Sequence, residues 1–115
     1  YPTLSALAGL NLPETPQPID GKNLMPVLKN ENERVRDHAY HTYIRGGYLG
    51  CAIRNERYRM VQWSSLRDPD AELVYELYDY KTDPLETKNI ADENPGILSQ
   101  MKKILEKHPD PKNPY

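Results

Sequence analysis

The spacing of apolar residues changes along the chain, from a short helical stretch to alternation and back to a helical spacing. In residues 2–10 (PTLSALAGL) the leucines recur on one helical face, and Gly9 is placed to end the helix. Residues 11–22 (NLPETPQPIDGK) contain three prolines and one glycine, which predicts an extended connector. A single helical turn is expected within residues 23–28 (NLMPVL).

Alternation of tyrosine, β-branched and polar residues begins at residue 39, and this pattern is typical of half-buried strands. Gly46-Gly47 offers a tight hairpin turn between the first and second strands. A polar turn at residues 55–57 separates the second strand from the third, and a proline-containing turn at residues 82–84 ends the fourth. The predicted strands are residues 39–44, 48–54, 58–63 and 73–80.

The last predicted element is an amphipathic helix that begins after Asn94. Asparagine is a favoured capping residue, and Pro95 suits the first helical position. His108-Pro109 is expected to end the helix. Four antiparallel strands followed by one amphipathic helix predict an α+β fold, in which the helix covers one face of the sheet. The apolar face of the helix consists of Ile97, Leu98, Met101, Ile104 and Leu105.

The composition limits the kinds of binding partner that a domain with this fold could have. The chain has 115 residues and a net charge of −2, so no general basic field would attract nucleic acid or an anionic membrane. No apolar run approaches the roughly 20 residues that a membrane helix needs. Nine tyrosines and one tryptophan, with no phenylalanine, favour half-buried sheet surfaces. The chain starts within a helical pattern at Tyr1, which favours a fragment of a longer protein.

Cysteine and histidine offer little chemistry in this sequence. Cys51 lies in mid-strand among apolar residues, where a cysteine behaves as a small apolar side chain. Asp37, His38 and His41 form the one possible metal cluster. Because His38 and His41 are three residues apart, a strand would place them on opposite sides of the sheet. We therefore expect no metal site here.

Arg54, Arg57, Tyr58 and Arg59 form a basic and aromatic turn. Stacking aromatics beside cations occur in proteins that bind single-stranded nucleic acid, so an independent binding module for such nucleic acid or for an anionic glycan is an alternative function. A solvated hairpin end is favoured, since Glu56 interrupts the cations and the net charge is negative. The acidic residues within 76–92, including Asp79, are interpreted as turn and surface residues.

His41, Tyr43 and Arg45 are the candidate binding residues. Their spacing makes all three side chains point to the same face of the first strand. Arginine and histidine suit a sulfate or carboxylate, and the tyrosine hydroxyl can donate beside them. The alternative is a polar strand face without a binding role.

Several stretches of the chain resemble the sequences of sulfatases. YPTLSALAGLNLPE followed by DGKNLMPVLK resembles the segment that leads out of the catalytic domain. AIRNERYRMVQW resembles the hairpin R-T-x-R-Y-R-Y, and ELYDYKTDPLETKNIAD resembles the strand and turn ELYDL-x-x-DP-x-E-x-x-NLA. AYHTYIR followed by GYLGCAIR is most similar to the iduronate-2-sulfatase-like branch, which carries S-Q-Y-P-R and then MGYSIRT. Tyr43 and Arg45 match that branch, whereas His41, Thr42 and Ile44 depart from it.

The resemblance covers essentially the whole chain and implies the small carboxy-terminal subdomain of an alkaline-phosphatase-like sulfatase. Residues 1–36 would comprise the end of a catalytic-domain helix and a proline-rich connector. Residues 37–115 would form the subdomain of sheet and helix. The implied partners are the sulfatase catalytic domain, in the same or a processed chain, and a sulfated carbohydrate.

The catalytic motifs of sulfatases have no match in this chain. The family nucleophile lies in C/S-x-P/A-x-R and is converted to formylglycine, whereas Cys51 begins C-A-I-R-N. The family's late calcium ligands precede a glycine, whereas Asp37-His38 precedes Ala39. The resemblance thus implies that calcium and formylglycine belong to the catalytic domain, and that no cofactor is bound here.

The expected function is that of a carboxy-terminal part of a sulfuric ester hydrolase acting on a sulfated sugar. This part would be inactive alone, would support the catalytic domain, and would offer His41, Tyr43 and Arg45 as a substrate lip. A phosphonate or phosphodiester hydrolase of the same superfamily stays open, because the deciding residues would lie upstream. The family implies a periplasmic or secreted enzyme.

Overall fold

A computed structural model of the chain describes residues 1–109 and 111. Residue 110 and residues 112–115 of the expected subdomain lie outside this description. The chain divides into two compact units, Tyr1–Asp37 and His38–Tyr115. The first unit contains α1 (Pro2–Leu7) and α2 (Met25–Lys29), and the second contains β1 (Ala39–Arg45), β2 (Tyr48–Arg54), β3 (Tyr58–Ser65), β4 (Val74–Asp79) and α3 (Pro95–Leu105).

The first unit is held by capping interactions. α1 ends at Leu7, just before Gly9, as predicted, because Gly9 adopts a left-handed backbone with φ of 66°. This conformation lets the Leu10 N–H donate to the Ser5 carbonyl at 2.8 Å, which satisfies a carbonyl at the end of the helix. The hydroxyl of Thr3 accepts a hydrogen bond from the Leu24 N–H at 3.0 Å and so joins α1 to the start of α2.

The second unit is built on a four-stranded antiparallel sheet in the order β1-β2-β3-β4. Gly46 and Gly47 form the two-residue turn between β1 and β2, with φ of 58° and 85°. Two successive positive φ values match the turn that suits the right-handed twist of paired strands, and glycine adopts them without steric cost. The predicted hairpin and the predicted limits of β2 are confirmed.

The core lies between one face of this sheet and α3. Ile53, Met60 and Leu77 are directly opposite one another on β2, β3 and β4, and each is fully buried. Met101 of α3 packs on this row and is 1% exposed, and Ala91 completes the cluster. The amphipathic helix therefore covers the sheet face that the alternation made apolar, as the sequence predicts.

The start of α3 differs from the prediction in one respect. The Asn94 side chain makes no capping hydrogen bond, so the expectation that it caps the helix is wrong. Its amide instead donates to the Ile90 carbonyl at 3.3 Å, which ties it to the preceding turn. α3 has 11 residues, and no helix in the described part of the chain combines the length and apolar character needed to span a membrane.

Candidate functional site

The three candidate residues of β1 lie on the sheet face opposite α3. His41 is paired with Ala52 across the sheet and Tyr43 with Gly50, whereas the core residue Ile53 points the other way. The His41 and Tyr43 rings stack with their centroids 5.8 Å apart and their planes 21° apart. His41 is exposed and Tyr43 is half-buried. The structure therefore brings these two rings together on an accessible face.

Arg45 lies at the end of β1, next to the glycine turn, and is exposed. It lines a depression of about 340 Å³ together with Tyr48, Trp63 and Val74. Within residues 1–109 and 111, no side-chain hydrogen bond or ion pair engages its guanidinium. Arg45 is thus close to an aromatic surface and available to an anion.

Trp63 extends this surface and was not among the candidates predicted from the sequence. Its ring meets the Tyr43 ring edge-on, with centroids 5.1 Å apart. The indole N–H donates to one oxygen of Glu76 at 3.1 Å, and the Tyr78 hydroxyl donates to the other at 3.2 Å. The sequence signal for Trp63 is its shared face with Arg59 on the predicted third strand, whereas the register that brings it to Tyr43 is seen only in the structure.

The basic turn between β2 and β3 is held by its own acidic neighbours. Arg57 donates two hydrogen bonds to Asp79, at 2.9 and 2.8 Å, and its guanidinium lies 4.9 Å from the centroid of Tyr58. Asp79 is 7% exposed, so the interpretation of this residue as a surface residue is wrong. The paired hydrogen bonds from Arg57 lower the pKa of Asp79 from 3.8 to about 2.

The other two arginines of the turn are also engaged. Arg59 and the Tyr80 hydroxyl both donate to Glu86, and the Arg54 guanidinium lies 4.2 Å from the centroid of the Tyr80 ring. Partial burial raises the pKa of Glu86, but these two hydrogen bonds lower it below its ordinary value overall. Because Arg57 and Arg59 are paired with carboxylates and Arg54 lies against the Tyr80 ring, the turn does not favour the alternative of a module for nucleic acid or anionic glycans.

The Asp79–Arg57 pair predicts a specific dependence of stability on pH. A carboxylate whose pKa is lower in the folded state stabilises the fold above its unfolded pKa of 3.8, and loses that effect as pH falls toward about 2. Asp79→Asn should therefore be less stable than the wild type at neutral pH, and the difference should shrink below about pH 4. Thermal unfolding followed by circular dichroism from pH 7 to pH 2 would measure both curves.

The matched control is Asp70→Asn, because Asp70 is exposed in a loop. Its melting temperature should follow the wild type across the same range. If Asp79→Asn kept a constant deficit down to pH 2, the stabilising role assigned to the charge would be contradicted.

Cys51 is 5% exposed within β2, as expected for a structural cysteine. It borders a cavity of about 140 Å³ beside the end of α3, where Lys102 lies 3.6 Å from the centroid of the Tyr75 ring. Its place in the middle of a packed sheet, and the residues that follow it, do not fit a formylglycine precursor.

His38 lies just before β1, and its Nε2 is 2.7 Å from Nε2 of His108. The His108 ring stacks on Tyr40 at a centroid distance of 4.3 Å. His41 belongs to the separate ring stack with Tyr43, so the structure does not bring His38 and His41 together. Among the described residues, no three histidine, cysteine or acidic side chains are grouped to hold a metal ion, so the residues present do not fit a calcium site.

Comparisons with known proteins agree with the sequence resemblance. Arylsulfatase K of Bos taurus is 30% identical over 110 residues, which cover 91% of this chain and 20% of the relative. A sulfatase of Formosa agariphila is 33% identical over 105 residues, which cover 84% of this chain and 18% of that protein. The chain spans about a fifth of the length of these relatives.

Solved structures give the same result. One, of a protein in complex with its substrate D-glucosamine-2-N,6-O-disulfate, matches with a TM-score of 0.73 and 27% identity over 92% of this chain and 22% of that one. The predicted fold class and the resemblance to sulfatases are therefore confirmed, whereas the iduronate-2-sulfatase-like branch stays a prediction. A sequence profile described as N-sulphoglucosamine sulphohydrolase, C-terminal, matches residues 1–110, and the chain belongs to this family of sulfatase carboxy-terminal domains.

Proposed function

We propose that this chain is the carboxy-terminal part of a sulfuric ester hydrolase that acts on a sulfated sugar. The observation that carries the proposal is the family match over residues 1–110. A structural relative in complex with D-glucosamine-2-N,6-O-disulfate supports a sulfated amino sugar as the substrate class. A sulfatase of the iduronate-2-sulfatase-like branch, located in the periplasm or secreted, remains part of the proposal.

The chain would act by supporting a catalytic domain rather than by cleaving the ester. Cys51 is packed inside the sheet, and the residues that follow it do not match the nucleophile motif of sulfatases. Formylglycine and calcium would therefore be supplied by the catalytic domain. Residues 1–36 would connect that domain to the sheet and helix of residues 37–115, which would be inactive alone.

His41, Tyr43 and Arg45 would form a lip at the substrate. The stacked rings of His41 and Tyr43 fix the strand face beside Arg45. A guanidinium can donate two parallel hydrogen bonds to a sulfate group, and such charge-assisted bonds are stronger than neutral ones. The lip would orient the sugar while the catalytic domain cleaves its sulfate.

The test is kinetic and uses the intact protein that contains this chain. Wild-type protein should release sulfate from D-glucosamine-2-N,6-O-disulfate, whereas the 115-residue chain alone should release none. Arg45→Gln should lower kcat/KM about tenfold, because the neutral amide keeps part of the side-chain length but loses the charge-assisted hydrogen bonds. Sulfate release at several substrate concentrations gives both values.

Lys103→Gln is the matched control, because it removes an exposed positive charge from α3 on the other side of the sheet. Its kcat/KM should equal that of the wild type. An unchanged kcat/KM for Arg45→Gln would contradict the lip. Absence of sulfate release by the intact wild-type protein from any sulfated sugar would contradict the proposed activity itself.

A further inference from the structure

The indole of Trp63 lies flat against the sheet because residue 50 has no side chain. Gly50 is directly opposite Trp63, and a Cβ at position 50 would lie 2.9, 3.1 and 3.2 Å from three carbons of the six-membered ring. Contacts of this length to three neighbouring ring atoms mean that the ring covers the glycine. Any other residue would lift the indole away from β2.

The indole is also fixed in its plane. Its N–H is bonded to Glu76, and the Tyr43 ring contacts it edge-on at 5.1 Å between centroids. The Glu76 carboxylate is held by the Trp63 N–H and the Tyr78 hydroxyl. A side chain restrained in this way loses little conformational entropy when a ligand binds to it.

The surroundings of the indole combine apolar area with positive charge. Tyr48 is 49% exposed and Val74 is 57% exposed, and both line the depression of about 340 Å³ that contains Trp63 and Arg45. Arg67 adds a second guanidinium at the same end of the sheet, because its Nε lies 3.6 Å from the position of a Cβ on Gly47. The depression thus has a flat aromatic floor and a cationic edge.

We propose that Trp63, Tyr48 and Arg45 form a binding subsite for one sulfated pyranose ring of an oligosaccharide. The electron-rich face of an indole attracts the C–H groups on one face of a pyranose, and the guanidinium of Arg45 binds its sulfate. The volume of the depression suits one small ring rather than a protein segment. The choice of a sulfated sugar rests on the proposed function, and the subsite extends the lip to residues of β2 and β3.

Trp63 is the sole tryptophan of the chain, so its fluorescence reports directly on the subsite. Titration of the 115-residue chain with D-glucosamine-2-N,6-O-disulfate should give a saturable change in emission. D-glucosamine and inorganic sulfate should each bind at least about tenfold more weakly, because each lacks one of the two contacts. Equal responses to the sugar with and without sulfate would overturn the proposal, as would no saturable response by the folded chain.

Two variants test the geometry, and circular dichroism of each shows whether the sheet is intact. Tyr48→Ala removes an exposed ring at the edge of the depression and should weaken binding about tenfold. Gly50→Ala should weaken it by at least as much, because the methyl group displaces the indole. Lys103→Gln is the control and should bind as the wild type does. Unchanged affinity in a folded Tyr48→Ala variant would contradict the subsite.

The intact protein separates this inference from the proposed function. With a sulfated disaccharide, Tyr48→Ala should raise KM about tenfold while kcat is unchanged, since the contact is made equally before and during the reaction. Sulfatase activity with an unchanged KM would overturn the subsite and leave the proposed function standing. Analytical ultracentrifugation of the chain tests one more outcome. If the chain forms a dimer that the Tyr48→Ala substitution dissociates, the depression is a contact between two copies, and the sugar subsite is overturned.

Discussion

Leu77→Ala is expected to lower the free energy of unfolding by about 3 kcal/mol, as large-to-small changes at fully buried core positions do. Leu77 is fully buried and lies in the row formed with Ile53 and Met60, against Met101 of α3. Removing its branched end leaves a cavity, because the neighbouring core residues Met60 and Met101 are held by the sheet and by α3 and can fill the space only in part. Urea denaturation followed by circular dichroism would measure the loss.

The matched control is Leu85→Ala, the same chemical change at a residue that is 83% exposed. It should change the free energy of unfolding by less than about 0.5 kcal/mol. Similar losses in both variants would mean that the packing of α3 on the sheet does not hold the second unit together. A loss of stability in Leu77→Ala alone would mean that the second unit is stabilised by packing on the sheet face that α3 covers.

Asn89→Ala is expected to lower the free energy of unfolding by about 2 kcal/mol. The side chain of Asn89 accepts hydrogen bonds from the Leu77 N–H at 2.9 Å and the Ala91 N–H at 3.0 Å, and it donates to the Tyr75 carbonyl at 3.1 Å. It therefore pairs with the open edge of β4 where a fifth strand would otherwise be needed. Alanine leaves those backbone groups without this partner at the edge of the core, which is costly.

Asn89→Asp keeps the two accepted hydrogen bonds and loses only the donated one, so we expect a smaller loss than in Asn89→Ala. Asn11→Ala, at an exposed position of the connector, should have no effect beyond about 0.5 kcal/mol. Urea denaturation of the three variants would rank them. Equal stability of the wild type and Asn89→Ala would show that water replaces the side chain at the edge of β4.

These contacts explain the structural role of the strand-and-turn motif that the chain shares with sulfatases. Asp79 holds Arg57 and accepts the Lys81 N–H at 3.0 Å, whereas Asn89 fixes the edge of β4. The sequence presents both residues as ordinary polar positions of turns. Their hydrogen bonds reach 22 and 12 residues along the chain, so a search for local patterns cannot find them.

Local signals predicted most elements correctly where the conformation is decided by neighbours in sequence. The two glycines of the first hairpin, the alternation in β1 and the proline at the start of α3 each act over a few residues. The predicted ends of the strands and helices were less accurate. β3 continues to Ser65, two residues beyond the prediction, because Tyr48 and Leu49 of β2 are available to pair with Ser65 and Ser64.

The candidate site, too, was predicted only in part from the sequence. A strand period of two placed His41, Tyr43 and Arg45 on one face, and the structure has them on one face. That period does not determine which face meets α3 or which residues of β3 stand beside Gly50. The register between strands decides both, and it placed Trp63 between Tyr43 and Glu76.

The sequence by itself determined the fold class, the order of strands and helix, the family resemblance and the shared face of the three lip residues, because periodicity, turn residues and motifs are local properties of a chain. Only the tertiary structure decided that Arg57 and Arg59 are paired with carboxylates, that Asp79 is buried, and that Trp63 lies flat beside Arg45. These outcomes depend on which residues of neighbouring strands lie opposite one another. That register is set by the burial of Ile53, Met60 and Leu77, because a slip of one residue would turn these side chains to the other face of the sheet.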